Sequence, residues 1–186
     1  NKLLHSAFVL AIALIGLTAA AQPFAEDIAA FKKADSLQFP PKNAILLVGS
    51  SSFTRWTDVQ DYFPGYPIIN RGFGGSTLPD VIRYANQVIY PYQPKEVLIY
   101  CGENDVAFSD TVTAQTVYQR FTQLFGMIRT KLPKAKIVFV SLKPSPSRWR
   151  MQDRIVQTND LISAYMKKRK NALFIDVYHK MLDAHG

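Results

Sequence analysis

Three consecutive serines, Ser50, Ser51 and Ser52, follow Gly49 at the end of the apolar run ILLVG. A hydroxyl on a tight turn just past a strand can stand exposed with its Oγ free to attack a carbonyl. Gly49 supplies the close backbone approach that such a turn demands. Serines there also cap helices, and residue type alone does not choose among the three. Two further segments strengthen the signal. Asn70–Ser76 (NRGFGGS) packs three glycines behind a second apolar run, so that backbone amides can point at a ligand oxygen. Gly102-Glu103-Asn104-Asp105 puts an amide side chain behind a third, able to donate to a developing oxyanion. Each alone has an ordinary use as a turn or cap. Together they supply a nucleophile and two kinds of oxyanion donor.

These segments need elements that bring them to one place. Short apolar runs, rich in Val, Ile and Leu and not alternating, occur at Ala44–Val48, Pro67–Asn70, Glu96–Cys101, Lys136–Leu142 and Ala172–Val177. They predict buried parallel strands. Between them lie helical patterns at Thr77–Val88, Thr113–Leu132 and Arg148–Lys168. The clearest, Thr113–Leu132, carries Val117, Phe121, Leu124, Ile128 and Leu132 on one stripe and stops at Pro133. Strand–helix alternation predicts an α/β sandwich on a parallel sheet, whose ligands gather at the carboxyl ends of the strands. GSSS, NRGFGGST, GENDVAF and KPSPSRW follow the first four strands and converge on that rim.

From Ala44 to its last residue the chain resembles the SGNH (GDSL-like) hydrolases, esterases and acylhydrolases on a flavodoxin-like three-layer α/β/α sandwich. VGSSSFTRW resembles the family's first block, usually Gly-Asp-Ser and a hydrophobic residue. NRGFGGST resembles the second and GEND the third, while PSPSRW and FIDVYHKMLDAHG are similar to one bacterial branch. The resemblance implies Ser51 as nucleophile, Gly75 as backbone oxyanion donor and Asn104 as side-chain donor, with the Ser51 amide as a third. Ser50 then stands where most members have aspartate. The family draws its base from a C-terminal Asp-x-x-His block. Asp176-Val-Tyr-His179 spells that pattern, but in the family a stretch like FIDVYHKMLDAHG precedes the block. The base is therefore expected beyond Gly186, in a chain that reads as cut at both ends, with Asp176 and His179 as the alternative and His185 as an exposed loop residue.

The start, NKLLHSAFVLAIALIGLTAAAQ, has Lys2 and His5 before an uncharged apolar stretch, Ala7 to Leu17, and then small residues. That is the layout of a signal peptide over residues 1–21, too short for the roughly 20 apolar residues of a membrane span. No cysteine near the cleavage point offers a lipid anchor. Residues 22–186 then form one domain, secreted or periplasmic, with no stable membrane insertion. Lone Cys101 reads as a core residue. Of 22 Lys and Arg against 14 Asp and Glu, only Lys2 lies in residues 1–21, so the net charge of +8 becomes +7 without them. The cationic run Lys167–Lys170 suits a helix end, not nucleic acid, since stacking aromatics are not interleaved with it. Three scattered histidines predict no metal, and no cofactor is expected.

The expectation is a secreted serine esterase that removes small acyl groups, acetyl by family likeness, from a carbohydrate or other polar alcohol. Phe73, Phe108 and Trp149 are candidates to stack on a sugar. The alternative is a degenerate, carbohydrate-binding domain on the same fold.

Overall fold

The computed structural model describes residues 22–183, so the signal-peptide reading of residues 1–21, and His185, lie outside it. Five strands, β1 Ile45–Gly49, β2 Ile68–Gly72, β3 Glu96–Tyr100, β4 Lys136–Val140 and β5 Ala172–Ile175, form one parallel sheet in the order β2-β1-β3-β4-β5. Each lies within two residues of an apolar run that predicted it. Gly49 pairs with both Gly72 and Tyr100, so β1, β2 and β3 end level. The loops bearing the serines, the glycines and Asn104 therefore leave from one edge of the sheet.

One face of the sheet, including Leu46, Val48, Val97, Ile99, Ile137 and Phe139, packs under three long helices, α4 Leu78–Val88, α6 Ala114–Lys131 and α7 Gln152–Lys167. The stripe predicted on α6 is the one it buries: Val117, Phe121, Leu124 and Ile128 are inaccessible. Thr113 caps that helix by accepting from Thr116 N–H at 3.1 Å. Cys101 lies in the same core, and Lys167–Lys170 are exposed around the end of α7. The opposite face carries the short helices α2 Ser51–Thr54 and α3 Val59–Tyr62, with Leu47, Phe53, Val59 and Tyr100 as a small second core. Cover on both faces holds for β1 but not for β5, an edge strand on which Leu173 and Ile175 are exposed.

Two features depart from the sequence expectation. A helix before the sheet, α1 Ala25–Leu37, buries only Ile28 and so shows little apolar periodicity. It is held by Asp35, which pairs with the Arg71 guanidinium and accepts from Tyr92 Oη at 2.6 Å. The helix expected from Arg148 instead starts at Gln152. Pro146–Met151 forms a 3-10 turn in which Arg148 leaves helical geometry (φ −121°, ψ 19°).

Candidate active site

Gly49 ends β1 with φ +132°, and a Cβ there would stand 2.0 Å from the Tyr100 carbonyl oxygen. Only glycine fits so close to β3 in that conformation. Ser50 N–H donates to the same carbonyl at 3.0 Å, and α2 begins at the next residue.

The three serines differ in their partners. Ser50 is buried, and its Oγ accepts from Asn104 Nδ2 at 2.6 Å. Ser52 is half-buried beside the Tyr100 phenol, whose ionised form it favours. Ser51 is half-buried, and its hydroxyl has no hydrogen-bond partner among the described residues. As the first residue of α2, its N–H also has no intrahelical acceptor.

Asn104 is the second residue of α5, Glu103–Phe108, and is buried. Besides Ser50 it donates to the Ser76 carbonyl at 3.0 Å, joining the three segments that follow β1, β2 and β3. The loop between Gly72 and α4 is pinned at both ends. Phe73 N–H donates to Gly49 at 2.9 Å, and Leu78 N–H donates to the Asp105 carboxylate at 2.9 Å. Within the loop Gly75 has φ +86°, and the Phe24 ring lies 3.9 Å from where its Cβ would be.

The neighbours of Asn104 also point inward, which the sequence reading did not anticipate. Glu103 accepts from Tyr100 Oη at 2.7 Å and pairs with Arg148 at 3.1 Å and Lys143 at 3.5 Å. Burial, and then the Glu103 charge, push the Tyr100 phenol far above its usual range. Asp105 is 1% exposed and pairs with Arg120 at 2.7 Å. Burial pushes its carboxyl up, against the pull of Leu78 N–H and Arg120. Arg148 Nη2 donates to Asn104 Oδ1 at 3.0 Å. The available signal was charge: acids flank Asn104, and Lys143 and Arg148 follow the neighbouring strand.

Phe73 needs correction as a sugar-stacking candidate. It is inaccessible, packed edge-on between Phe24 at 5.2 Å and Tyr84 at 6.0 Å in the hydrophobic core. Phe108 and Trp149 are 69% and 46% exposed. Asp176 and His179 do form a pair, Oδ2 to Nδ1 at 2.7 Å. Slight burial would raise the Asp176 carboxyl, but the His179 side-chain and backbone bonds outweigh it and lower it. The pair lines a cavity against Val156, Asp160 and Ser163 of α7, and none of the three serines lines it. β5 stands three strands from β1, about 14 Å at roughly 4.8 Å per strand.

The sequence profile of the GDSL-like Lipase/Acylhydrolase family matches residues 48–186. Among curated proteins, platelet-activating factor acetylhydrolase IB subunit alpha2 of Rattus norvegicus is 25% identical over 142 residues, 72% of this chain and 58% of the relative. The chain thus spans less than two thirds of that relative's length. A solved GDSL-like lipase from Bacteroides thetaiotaomicron superposes with a TM-score of 0.68 at 21% identity, covering 84% of this chain and 80% of that one. The Clostridium thermocellum family 3 carbohydrate esterase gives 0.59 at 15% identity, covering 77% and 82%. At such identities the superpositions speak for the fold.

Proposed function

The chain belongs to the GDSL-like lipase/acylhydrolase family, and on that premise we propose that it is an exported serine esterase acting through Ser51. The observation that carries the reading is the free Ser51 hydroxyl beside a Ser50 held by Asn104. Ser51 Oγ attacks the ester carbonyl and passes its proton to a base. The tetrahedral oxyanion is met by N–H donors from Asn104, Gly75 and Ser51 itself. Collapse expels the alcohol, which takes a proton from the protonated base. Water then attacks the acyl-serine by the same route and releases the acid.

This reading takes its base from a histidine outside residues 22–183; His179 lining a cavity against α7 that none of the serines shares supports that choice. A small acyl group, acetyl foremost, on a carbohydrate or other polar alcohol is the substrate class. Exposed Phe108 and Trp149 supply faces for a sugar ring, and a structural neighbour is a carbohydrate esterase. The basic, apolar, small-residue order of residues 1–21 supports export.

One observation favours the second reading, a carbohydrate-binding domain without turnover. Both amide hydrogens of Asn104 are engaged, by Ser50 and Ser76, leaving none idle for an oxyanion. A fluorophosphonate probe separates the two. The esterase reading expects a covalent adduct on the peptide carrying Ser51, lost in Ser51→Ala, together with release of p-nitrophenol from its acetate ester. Binding of xylo-oligosaccharides with neither adduct nor turnover would establish the second reading.

A further inference from the structure

We propose that Arg148 is a positioning residue for Asn104, with Glu103 as its anchor; this rests on the reading of Asn104 as an oxyanion donor. A side-chain amide fits its pocket in two orientations of nearly the same shape, and they do opposite things. One presents N–H to an oxyanion. The other presents a carbonyl oxygen and repels it. Two partners of fixed character select between them. A guanidinium has only donors, so the atom 3.0 Å from Arg148 Nη2 is the amide oxygen. A peptide carbonyl only accepts, so the atom 3.0 Å from the Ser76 oxygen is the amide nitrogen. The Ser50 hydroxyl would accept either orientation, and so decides nothing.

Arg148 is itself aimed. Its other terminal nitrogen pairs with Glu103 Oε1 at 3.1 Å. That carboxylate is buried and held by Tyr100 Oη at 2.7 Å and Lys143 at 3.5 Å. The fork therefore spans two adjacent residues, the Glu103 carboxylate and the Asn104 amide oxygen. Arg148 reaches them because Pro146–Met151 departs from the helix that follows. A cation on Oδ1 also draws electron density from the amide and leaves the Nδ2 hydrogens better donors.

A merely structural role would predict otherwise. The Arg148 side chain is 29% exposed and Lys143 remains on Glu103 without it, so its loss need not unfold the protein. The test is steady-state hydrolysis of p-nitrophenyl acetate by the full-length enzyme. Arg148→Met is expected to lower kcat on the order of 10- to 100-fold, below the 10²–10³ of deleting an oxyanion donor outright, with KM within about twofold. Arg148→Lys is expected to recover part of that, since an ammonium lacks the planar fork. Glu103→Gln gives a second, milder variant should Arg148→Met misfold, and is expected to show the same loss in kcat alone. In an Asn104→Ala background, Arg148→Met is expected to add nothing.

Full additivity of the two changes, an unchanged kcat in Arg148→Met, or a loss in KM alone overturns the positioning role while leaving the esterase reading intact. If Ser51→Ala and Asn104→Ala hydrolyse the ester as fast as the parent, the esterase reading fails, and the role of Arg148 falls with it.

Discussion

Asn104 Nδ2 lies 2.6 Å from Ser50 Oγ, and its other hydrogen goes to the Ser76 carbonyl at 3.0 Å. An oxyanion at Ser51 must therefore take over one of these bonds. Ser50 is the exchangeable partner, because a hydroxyl can reorient and the Ser76 peptide oxygen is fixed by its loop. Breaking such a bond costs about 1 kcal/mol.

Removing Ser50 Oγ relieves that competition. In the esterase, Ser50→Ala should keep kcat for p-nitrophenyl acetate, or raise it by up to about fivefold, the rate equivalent of about 1 kcal/mol. Ser51→Ala should be inactive, and Ser52→Ala, at a residue beside the Tyr100 phenol, should retain most of the rate. A dead Ser52→Ala with an active Ser51→Ala would move the nucleophile by one residue.

Gly75 and Gly74 should respond differently to the same methyl. Gly75 has φ +86° and room for a Cβ, so alanine there folds but strains the loop by about 1–2 kcal/mol. A fall in kcat of at least about tenfold is expected, with the melting temperature down by only a few degrees. Gly74→Ala has its nearest neighbours at 3.9 Å and no unusual φ, and should match the parent in both measurements.

Asp105 ties the start of α4 to α6 through Leu78 N–H and Arg120. Asp105→Ala leaves a buried N–H without its acceptor and Arg120 without its counter-charge, and should cost about 3–5 kcal/mol in urea unfolding. Asp105→Asn keeps an acceptor for Leu78 and should lose clearly less. Equal losses in the two variants would assign the whole effect to the Arg120 ion pair.

The alkaline limb of stability should carry the signature of Tyr92. Burial, and then the Asp35 bond, raise its phenol to about 12. Its folded-state value lies above the unfolded one, so its contribution is complete below about pH 10 and is lost as pH rises towards 12. Each such tyrosine steepens the decline by at most about 1.4 kcal/mol per pH unit. Denaturant unfolding at pH 9, 10 and 11 should fall off less steeply in Tyr92→Phe than in the parent.

His179→Ala should leave ester turnover within about twofold, since its ring pairs with Asp176 beside α7 and none of the serines shares that cavity. Loss of turnover in this variant, with Asp176→Asn behaving alike, would make the pair the catalytic dyad.

Strand–helix alternation and the three polar segments at the strand ends were readable from residue order, because apolar runs and helical stripes are local patterns in the chain. The core stripe of α6 and the burial of Cys101 followed from the same logic. Helix α1 did not, since its anchor is a charged cluster of Asp35, Arg71 and Tyr92 and not a periodic face. Nor did the burial of Phe73, which depends on the direction the loop takes after β2. Most of all, residue order left Ser50, Ser51 and Ser52 chemically alike. What sets Ser50 apart is a contact between residues 54 positions apart, with Asn104, whose amide oxygen in turn accepts from Arg148, 44 positions further on. Hydrogen bonds with fixed donor and acceptor character form only once the parallel sheet has brought its strand ends level, so the tertiary structure alone decided that Ser50 is the hydroxyl held by Asn104.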